Sequence, residues 1–132
     1  MSTRELTVLT DVCLITCVVQ KGAADHIVKA AREAGAQGAT VFYARGSGVR
    51  ERLGILGVAL EVEKEIITIV VSTDQADRVL EKMYFAGGLD TPGMGIVYVT
   101  PLDKAATYIP AEVIDRLSKK SRQHHSGKEA RV

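Results

Sequence analysis

The predicted fold depends on two apolar stretches, Val12-Cys-Leu-Ile-Thr-Cys-Val-Val19 and Glu65-Ile-Ile-Thr-Ile-Val-Val71. Both are rich in β-branched residues and have the length of a strand. Almost every position in them is apolar, rather than every second one, which is typical of strands that are buried on both faces. The two stretches therefore predict strands that are buried on both faces of a sheet.

A helix is predicted after each of these strands. The first helix covers Ala23 to Ala34, and Gly35 follows it as glycine often follows a helix. The second opens at Ser72-Thr-Asp-Gln75, which has the spacing of a capping box, and ends at Gly87-Gly88. Apolar residues at helical spacing predict the core-facing positions Ile27, Ala30, Ala31, Ala34, Ala76, Val79, Leu80 and Met83.

Two further strands complete the pattern, Thr40-Val-Phe-Tyr-Ala44 and Ile96-Val-Tyr-Val-Thr100. We expect the last strand to stop at Pro101, because proline cannot donate to a ladder. The order β-α-β-β-α-β predicts an α+β, ferredoxin-like fold in which both helices pack on one face of a four-stranded antiparallel sheet. The other face also needs a cover, and we expect oligomerisation to supply it.

The C-terminal part is predicted as an addition to a domain of residues 1–110. Within residues 111–132 we expect a helix from about Ala111 to Lys119 and a disordered tail, preceded by a short turn around Lys104 to Tyr108. Residues 1–115 hold 11 Lys and Arg against 15 Asp and Glu (net −4), whereas residues 116–132 hold 6 against 1 (net +5). We interpret this basic tail as a solvated extension, with attraction to an anionic membrane surface as the alternative.

Length and composition argue against several classes of protein. A chain of 132 residues suffices for one domain with its own core. Its longest apolar run is far shorter than the roughly 18 residues of a membrane span, and its start does not suit a secretory signal, so we expect a cytoplasmic protein. Aromatic residues make up only 5% and none is Trp, which supplies few platforms for stacking bases, so no nucleic-acid partner is expected.

Cysteine and histidine are too few to predict a metal site. Cys13 and Cys17 lie on one face of a strand but roughly 13 Å apart, beyond the roughly 7 Å limit for a disulfide, so we expect buried free thiols. His26 is expected on a solvated helix face, and His124-His125 lies in the polar tail without acidic or cysteine ligands nearby. No metal ligand is therefore assigned.

The stretch between the second and third predicted strands is the least ordinary part of the chain. It runs from Ala44 to Lys64, and loops longer than about 12–15 residues are usually functional or disordered. Arg45-Gly-Ser-Gly48 would let backbone N–H groups face an anion. Its second half is apolar, which suits docking to a partner or a neighbouring subunit, although a hairpin that buries itself is an equally good interpretation.

A second glycine-rich stretch, Gly87-Gly-Leu-Asp-Thr-Pro-Gly-Met-Gly95, precedes the last strand. Its glycines permit close approach of the backbone to a ligand, but a turn that needs positive φ explains them equally well.

The order of these pieces resembles the PII signal-transduction proteins. The resemblance covers residues 12 to about 100 and rests on Gly38-Ala-Thr-Val41, Arg45-Gly-Ser-Gly48, the long loop, Glu65–Val71 and Gly93-Met-Gly-Ile-Val-Tyr-Val99. It implies a homotrimer that binds adenine nucleotides between subunits and signals through the long loop. On this resemblance residues 46–63 are the T-loop and residues 87–95 the B-loop.

The resemblance also implies site residues. The residues it places at the nucleotide are Gly38, Thr40, Gly46, Gly48, Val49, Lys64, Gly87, Gly93, Met94 and Gly95. Those expected to contact a partner are Arg50, Arg52, Leu53, Ile55 and Leu56.

Several positions depart from the nitrogen-regulating members of that family. Those members end the B-loop with a lysine that holds phosphate, where this chain has Ile96, and they carry an Arg-x-Arg pair where this chain has Pro101-Leu-Asp-Lys104. A triphosphate needs such cationic partners. We therefore expect ADP, AMP or cyclic AMP to be favoured over ATP.

The sequence thus predicts a non-catalytic, cytoplasmic regulator whose T-loop controls a membrane transporter or a metabolic enzyme, with membrane association through that partner as an option. Two alternatives stay open: a trimeric metal-binding or metal-tolerance protein of related fold, and a small ferredoxin-like hydrolase. Hydrolases of the acylphosphatase kind use an asparagine, and this chain has none. No catalytic residue is assigned.

Overall fold

A computed structural model describes residues 4–46 and 62–113 of the chain. They form two helices, α1 (Ala24–Glu33) and α2 (Thr73–Ala86). The strands are β1 (Val8–Leu9), β2 (Val12–Gln20), β3 (Thr40–Gly46), β4 (Val62–Ser72), β5 (Gly95–Leu102) and β6 (Ala105–Ala106).

The four long strands form one sheet in the order β3-β4-β2-β5. β3 and β4 are antiparallel, and their pairing runs from Thr40 opposite Thr68 to Gly46 opposite Val62. This strand order, with one helix between β2 and β3 and one between β4 and β5, confirms the predicted α+β, ferredoxin-like architecture. The central strands are β2 and β4, the two strands with the most apolar sequences.

The core lies between the helices and one face of the central strands. Alternate residues of β2 and β4 point to this face, because successive side chains of a strand point to opposite sides. The fully buried side chains that fill it are Ile15, Cys17 and Val19 of β2, Ile67 and Ile69 of β4, Ile27 of α1, and Val79 and Met83 of α2. Of the predicted helix positions, Ala30 and Leu80 are half-buried rather than in this core.

The opposite face of the sheet carries exposed apolar side chains. Phe42 and Val70 are each 45% exposed, and Ile96 is 58% exposed. By strand alternation these residues point away from the helices. Exposed apolar surface of this kind marks interaction sites, and the oligomerisation expected from the sequence would cover such a face.

Three local predictions were wrong. β5 continues through Pro101 to Leu102, because β5 is an edge strand and the missing N–H of proline is tolerated there. Ser72 is the N-cap of α2, as predicted, but its side chain makes no capping hydrogen bond. The expected turn around Lys104 to Tyr108 contains β6, which pairs with β1, a strand that the sequence did not predict.

The chain divides into two compact units: residues 13–100, and the two chain ends up to residue 12 and from residue 101. The first unit holds both helices and nearly all of the four-stranded sheet. The second holds the short β1–β6 pair, in which Val8 lies opposite Ala106. Residues 111–113 are helical, and the rest of the predicted C-terminal helix lies outside the described residues.

Both cysteines are buried free thiols, as predicted. Cys17 has no exposed surface, and burial raises the pKa of its thiol to about 11. Cys13 is 3% exposed, and burial followed by the charge of Asp77 raises its pKa as well. Since the thiolate is the reactive form, burial and protonation both make these side chains inert.

We therefore expect neither cysteine to react with iodoacetamide at pH 8 in the folded protein, and both to react once it is unfolded in guanidinium chloride. The matched control is His26→Cys, which places a thiol on the exposed face of α1 and should be alkylated in the folded state. Mass spectrometry of the labelled peptides measures all three sites. Alkylation of Cys17 at the rate of the position 26 thiol would contradict the buried assignment.

Candidate functional site

The pairing of β3 with β4 extends to Gly46 opposite Val62. Residues 47–61 therefore connect the end of β3 to the start of β4. The predicted T-loop, residues 46–63, thus begins in β3 and ends in β4. The predicted residues Gly48, Val49, Arg50, Arg52, Leu53, Ile55 and Leu56 lie outside the described residues. The choice between a docking loop and a hairpin that buries itself is open for this segment.

The structure brings one group of the predicted residues to the same end of the sheet. The backbone N–H of Lys21 donates to the carbonyl of Glu63 at 3.3 Å, which places the end of β2 beside the start of β4. The side-chain amide of Gln20 donates to the carbonyl of Gly93 at 3.1 Å, which brings the B-loop to the same place. The predicted residues Gly93, Met94 and Gly95 therefore lie at the sheet end where Gly46 and Lys64 flank the T-loop.

A second group lies at the other end of the same sheet. Thr40 begins β3, where it pairs with Thr68 of β4. Thr40 precedes Gly46 by six residues along β3. At the rise of an extended strand this is about 20 Å. Gly38 precedes Thr40 and lies farther still from Gly46 along the chain. A single chain therefore does not bring Gly38 and Thr40 to Gly46, Lys64 and Gly93.

Thr40 and Lys64 do share one face of the sheet. Lys64 lies opposite Ala44, and Thr40 precedes Ala44 by four residues. Alternation places both of them on the face away from the helices, together with the exposed Phe42. Thr40 and Lys64 are therefore both available on the apolar face that the helices leave uncovered.

The glycines of the B-loop have a structural reason within the chain. Gly95 has φ +145°, and a Cβ added there would lie 2.3 Å from the carbonyl oxygen of Val18. Gly87, the C-cap of α2, is packed so that a Cβ would lie 2.9 Å from Cδ1 of Ile27. These glycines are accounted for by backbone conformation and packing, which favours the interpretation of a turn for their sequence.

Gly38 and Gly46 differ from the B-loop glycines. Among the described residues, no atom lies within 4 Å of a Cβ built at either position, and neither has a positive φ. Their lack of a side chain is therefore not required by the fold of residues 4–46 and 62–113. Space for a close approach by another molecule is left at both positions.

Glu65 organises the junction between β2 and α1, and sequence reasoning missed its role. Its carboxylate is only 7% exposed and accepts hydrogen bonds from the backbone N–H groups of Gly22 and Ala24, the latter at 3.2 Å. The N-cap residue of α1 is Ala23, whose side chain cannot cap. The carboxylate of Glu65, which lies on β4, takes the place of the missing N-cap side chain. It also puts negative charge at the N-terminal, positive end of α1.

An exposed ion pair lies beside this cap. Nζ of Lys21 and Oε2 of Glu63 are 3.0 Å apart. The hydrogen bond to Glu63 and its negative charge raise the pKa of Lys21, and the same hydrogen bond and the charge of Lys21 lower the pKa of Glu63. Both groups are charged at neutral pH, and they contribute to an open cleft of about 490 Å³ that Tyr43, Ala44 and Arg45 also line.

A signal for Glu65 was present in the sequence. It is an acidic residue at the start of a strand whose other buried positions are apolar, and a buried carboxylate needs hydrogen-bond donors. Gln20 carried no comparable signal, because an exposed glutamine at a strand end is ordinary. Its partner Gly93 is 73 residues away along the chain.

The described residues contain no group of three or more His, Cys, Asp or Glu side chains placed to hold a metal ion. His26 is exposed on α1, as predicted, and both cysteines face the core. A search of the described residues also found no helix with the length and apolarity needed to cross a membrane.

Comparison with known proteins gives two findings. A sequence model of the family described as "Nitrogen regulatory protein P-II" matches residues 12–112, which is more than half of the chain. Among solved structures, the chain is similar to Arabidopsis thaliana PII bound to citrate, with 22% identity over 71% of this chain and 79% of that one and a TM-score of 0.58. At this identity the structural likeness supports the fold.

We expect Glu65→Ala to lower the free energy of unfolding by about 1–3 kcal/mol, because it leaves the N–H groups of Gly22 and Ala24 without their acceptor. The matched control is Glu63→Ala, two residues away on the same strand, which removes an exposed ion pair and should change stability far less. Urea unfolding followed by circular dichroism measures both variants. Equal losses for the two would contradict the capping role of Glu65.

Proposed function

The chain belongs to the nitrogen regulatory protein P-II family of signal-transduction regulators, and from this membership we propose a specific function. The protein is a non-catalytic homotrimeric regulator that binds an adenine nucleotide in the clefts between its subunits. The nucleotide biases residues 46–63, the T-loop, which engages a partner protein.

The observation that carries this proposal is the separation of the two predicted groups of site residues. Gly38 and Thr40 lie at one end of β3, and Gly46, Lys64 and Gly93 lie at the other, about 20 Å away along the strand. A nucleotide that uses both groups must take them from two different chains. The exposed apolar face that carries Phe42, Val70 and Ile96 supports an assembly that brings such chains together.

The nucleotide is one with less negative charge than ATP. Ile96, with 58% of its surface exposed, stands where the nitrogen-regulating members have a phosphate-binding lysine. Pro101-Leu-Asp-Lys104 stands in place of their Arg-x-Arg pair. A triphosphate needs more charged hydrogen-bond donors than these positions supply, so ADP, AMP or cyclic AMP is favoured over ATP.

The partner is a membrane transporter or a metabolic enzyme in the cytoplasm. Arg50 and Arg52 would supply charged contacts to it, and Leu53, Ile55 and Leu56 apolar ones. A bound nucleotide can shift the T-loop only by the difference in its affinity for the two loop states. The nucleotide must therefore bind the two loop states with different affinities.

The test is a thermal-shift screen of the purified chain against ATP, ADP, AMP, cyclic AMP, citrate and a panel of divalent metals, with calorimetry on each hit. A ligand at one hundred times its Kd adds roughly 2.7 kcal/mol of stability, so a binding nucleotide should raise the melting temperature measurably. We expect a shift with ADP, AMP or cyclic AMP and a smaller one with ATP. A shift with metals alone would favour the metal-binding alternative, and the absence of any nucleotide shift would contradict the proposal.

A glycine variant tests whether the open position at Gly38 matters for nucleotide binding. Gly38→Val should leave the melting temperature of the free protein nearly unchanged, because no described atom lies near its added side chain, and should weaken binding of ADP about ten-fold, equivalent to about 1.4 kcal/mol. The control is Gln37→Val, which places the same side chain at the exposed neighbouring position. Sedimentation must first show that both variants keep the oligomeric state of the native chain. Unchanged affinity in Gly38→Val would remove Gly38 from the site.

A further inference from the structure

Three consecutive residues at the end of β2 contact both predicted functional loops. Gln20 is exposed, yet its side-chain Nε2 donates to the carbonyl of Gly93 in the B-loop at 3.1 Å. The next residue, Lys21, contacts the first residues of β4, which emerge from the T-loop. Gly22 completes the set, since its N–H donates to the carboxylate of Glu65.

The connection to β4 consists of several contacts. Lys21 donates its backbone N–H to the carbonyl of Glu63 at 3.3 Å, and its Nζ lies 3.0 Å from Oε2 of the same residue. Glu65 accepts from Gly22 and Ala24. The turn between β2 and α1 is therefore tied to the start of β4 through both backbone and side chains.

The connection to the B-loop is simpler. The structure gives one side-chain hydrogen bond between the turn and Gly93, and it comes from Gln20. The residues next to Gly93 are held by contacts of their own. Gly95 packs so closely on Val18 that no Cβ would fit, and the N–H of Met94 donates to the carbonyl of Thr91 at 3.3 Å. The carbonyl of Gly93 is thus held in place by the amide of Gln20, between two short-range constraints.

We propose that Gln20 is a positioning residue that links the B-loop to the base of the T-loop. This inference rests on the function proposed above. A ligand that displaces Gly93 moves the amide of Gln20, and Lys21 carries that displacement across one peptide bond to Glu63. The first residues of β4 then change their geometry where residues 47–61 enter the strand. Gln20 needs no contact with the ligand for this role.

The test uses the full-length chain and two variants. Gln20→Met keeps the length and neutrality of the side chain but removes its donor. The matched control is Gln37→Met, since the amide of Gln37 also donates to a glycine carbonyl, that of Gly35 at 3.5 Å, at an exposed turn away from both loops. Hydrogen exchange of peptides covering residues 91–95 and 62–66, with and without ADP, provides the readout, together with calorimetry and the melting temperature.

In the native chain and in Gln37→Met we expect ADP to slow exchange in both segments. In Gln20→Met we expect ADP to bind with an affinity reduced up to about five-fold, the effect of one ordinary hydrogen bond. Exchange in residues 62–66 should no longer respond to ADP, while the melting temperature of the free protein stays close to that of Gln37→Met. A purely structural role of Gln20 would lower the melting temperature and leave the ADP response of residues 62–66 intact.

The outcomes separate this inference from the proposed function. Suppose first that the native chain binds ADP. If hydrogen exchange in residues 62–66 still responds to ADP in Gln20→Met, or does not respond to it in the native chain, the proposed link is wrong and the proposed function stands. If the native chain binds no nucleotide, the proposed function fails and the link is judged in the free protein. In the free protein, faster hydrogen exchange of both segments in Gln20→Met than in the native chain supports the link. An effect confined to residues 91–95, or no effect, overturns the link.

Discussion

The two central strands of the sheet are apolar on both faces, while the two helices can cover only one. On the covered face, Ile15, Ile67 and their neighbours form a core without exposed surface. On the other face, Phe42, Val70 and Ile96 keep about half of their surface accessible. The sequence of the four-stranded sheet therefore stabilises the single chain and at the same time leaves it with a surface that favours assembly. The regulatory site proposed for the clefts between subunits depends on this same property.

The fold was largely predictable because its signals are local and repeated. Alternation, helical spacing and terminal glycines each act within a few residues, and they located all four long strands and both helices. Two of the three wrong predictions involve effects that depend on position in the sheet: Pro101 is accepted in β5 because that strand lies at an edge, and the two-residue strand β1 exists because β6 pairs with it. Neither property is encoded in the neighbouring residues.

The candidate site was predictable only in part, for a related reason. Glycines and the order of the loops carried the resemblance to the family, but contacts between distant segments were invisible. Glu65 caps a helix that begins 41 residues earlier in the chain, and Gln20 reaches a carbonyl 73 residues later. The structure also divides the glycines into two groups that look alike in sequence. Those of the B-loop are accounted for by positive φ or by close packing, whereas Gly38 and Gly46 are left open among the described residues.

The ladder between β3 and β4 also bears on how proteins of this architecture can diverge. Its register is fixed by seven consecutive residue pairs that extend from Thr40 to Gly46. Doubling the length of a flexible loop between fixed ends costs only about 0.6 kcal/mol. Mutation can therefore lengthen, shorten or replace residues 47–61 without shifting a side chain of the sheet to its other face. Natural selection can thus change the sequence that joins these two strands while the sheet stays the same.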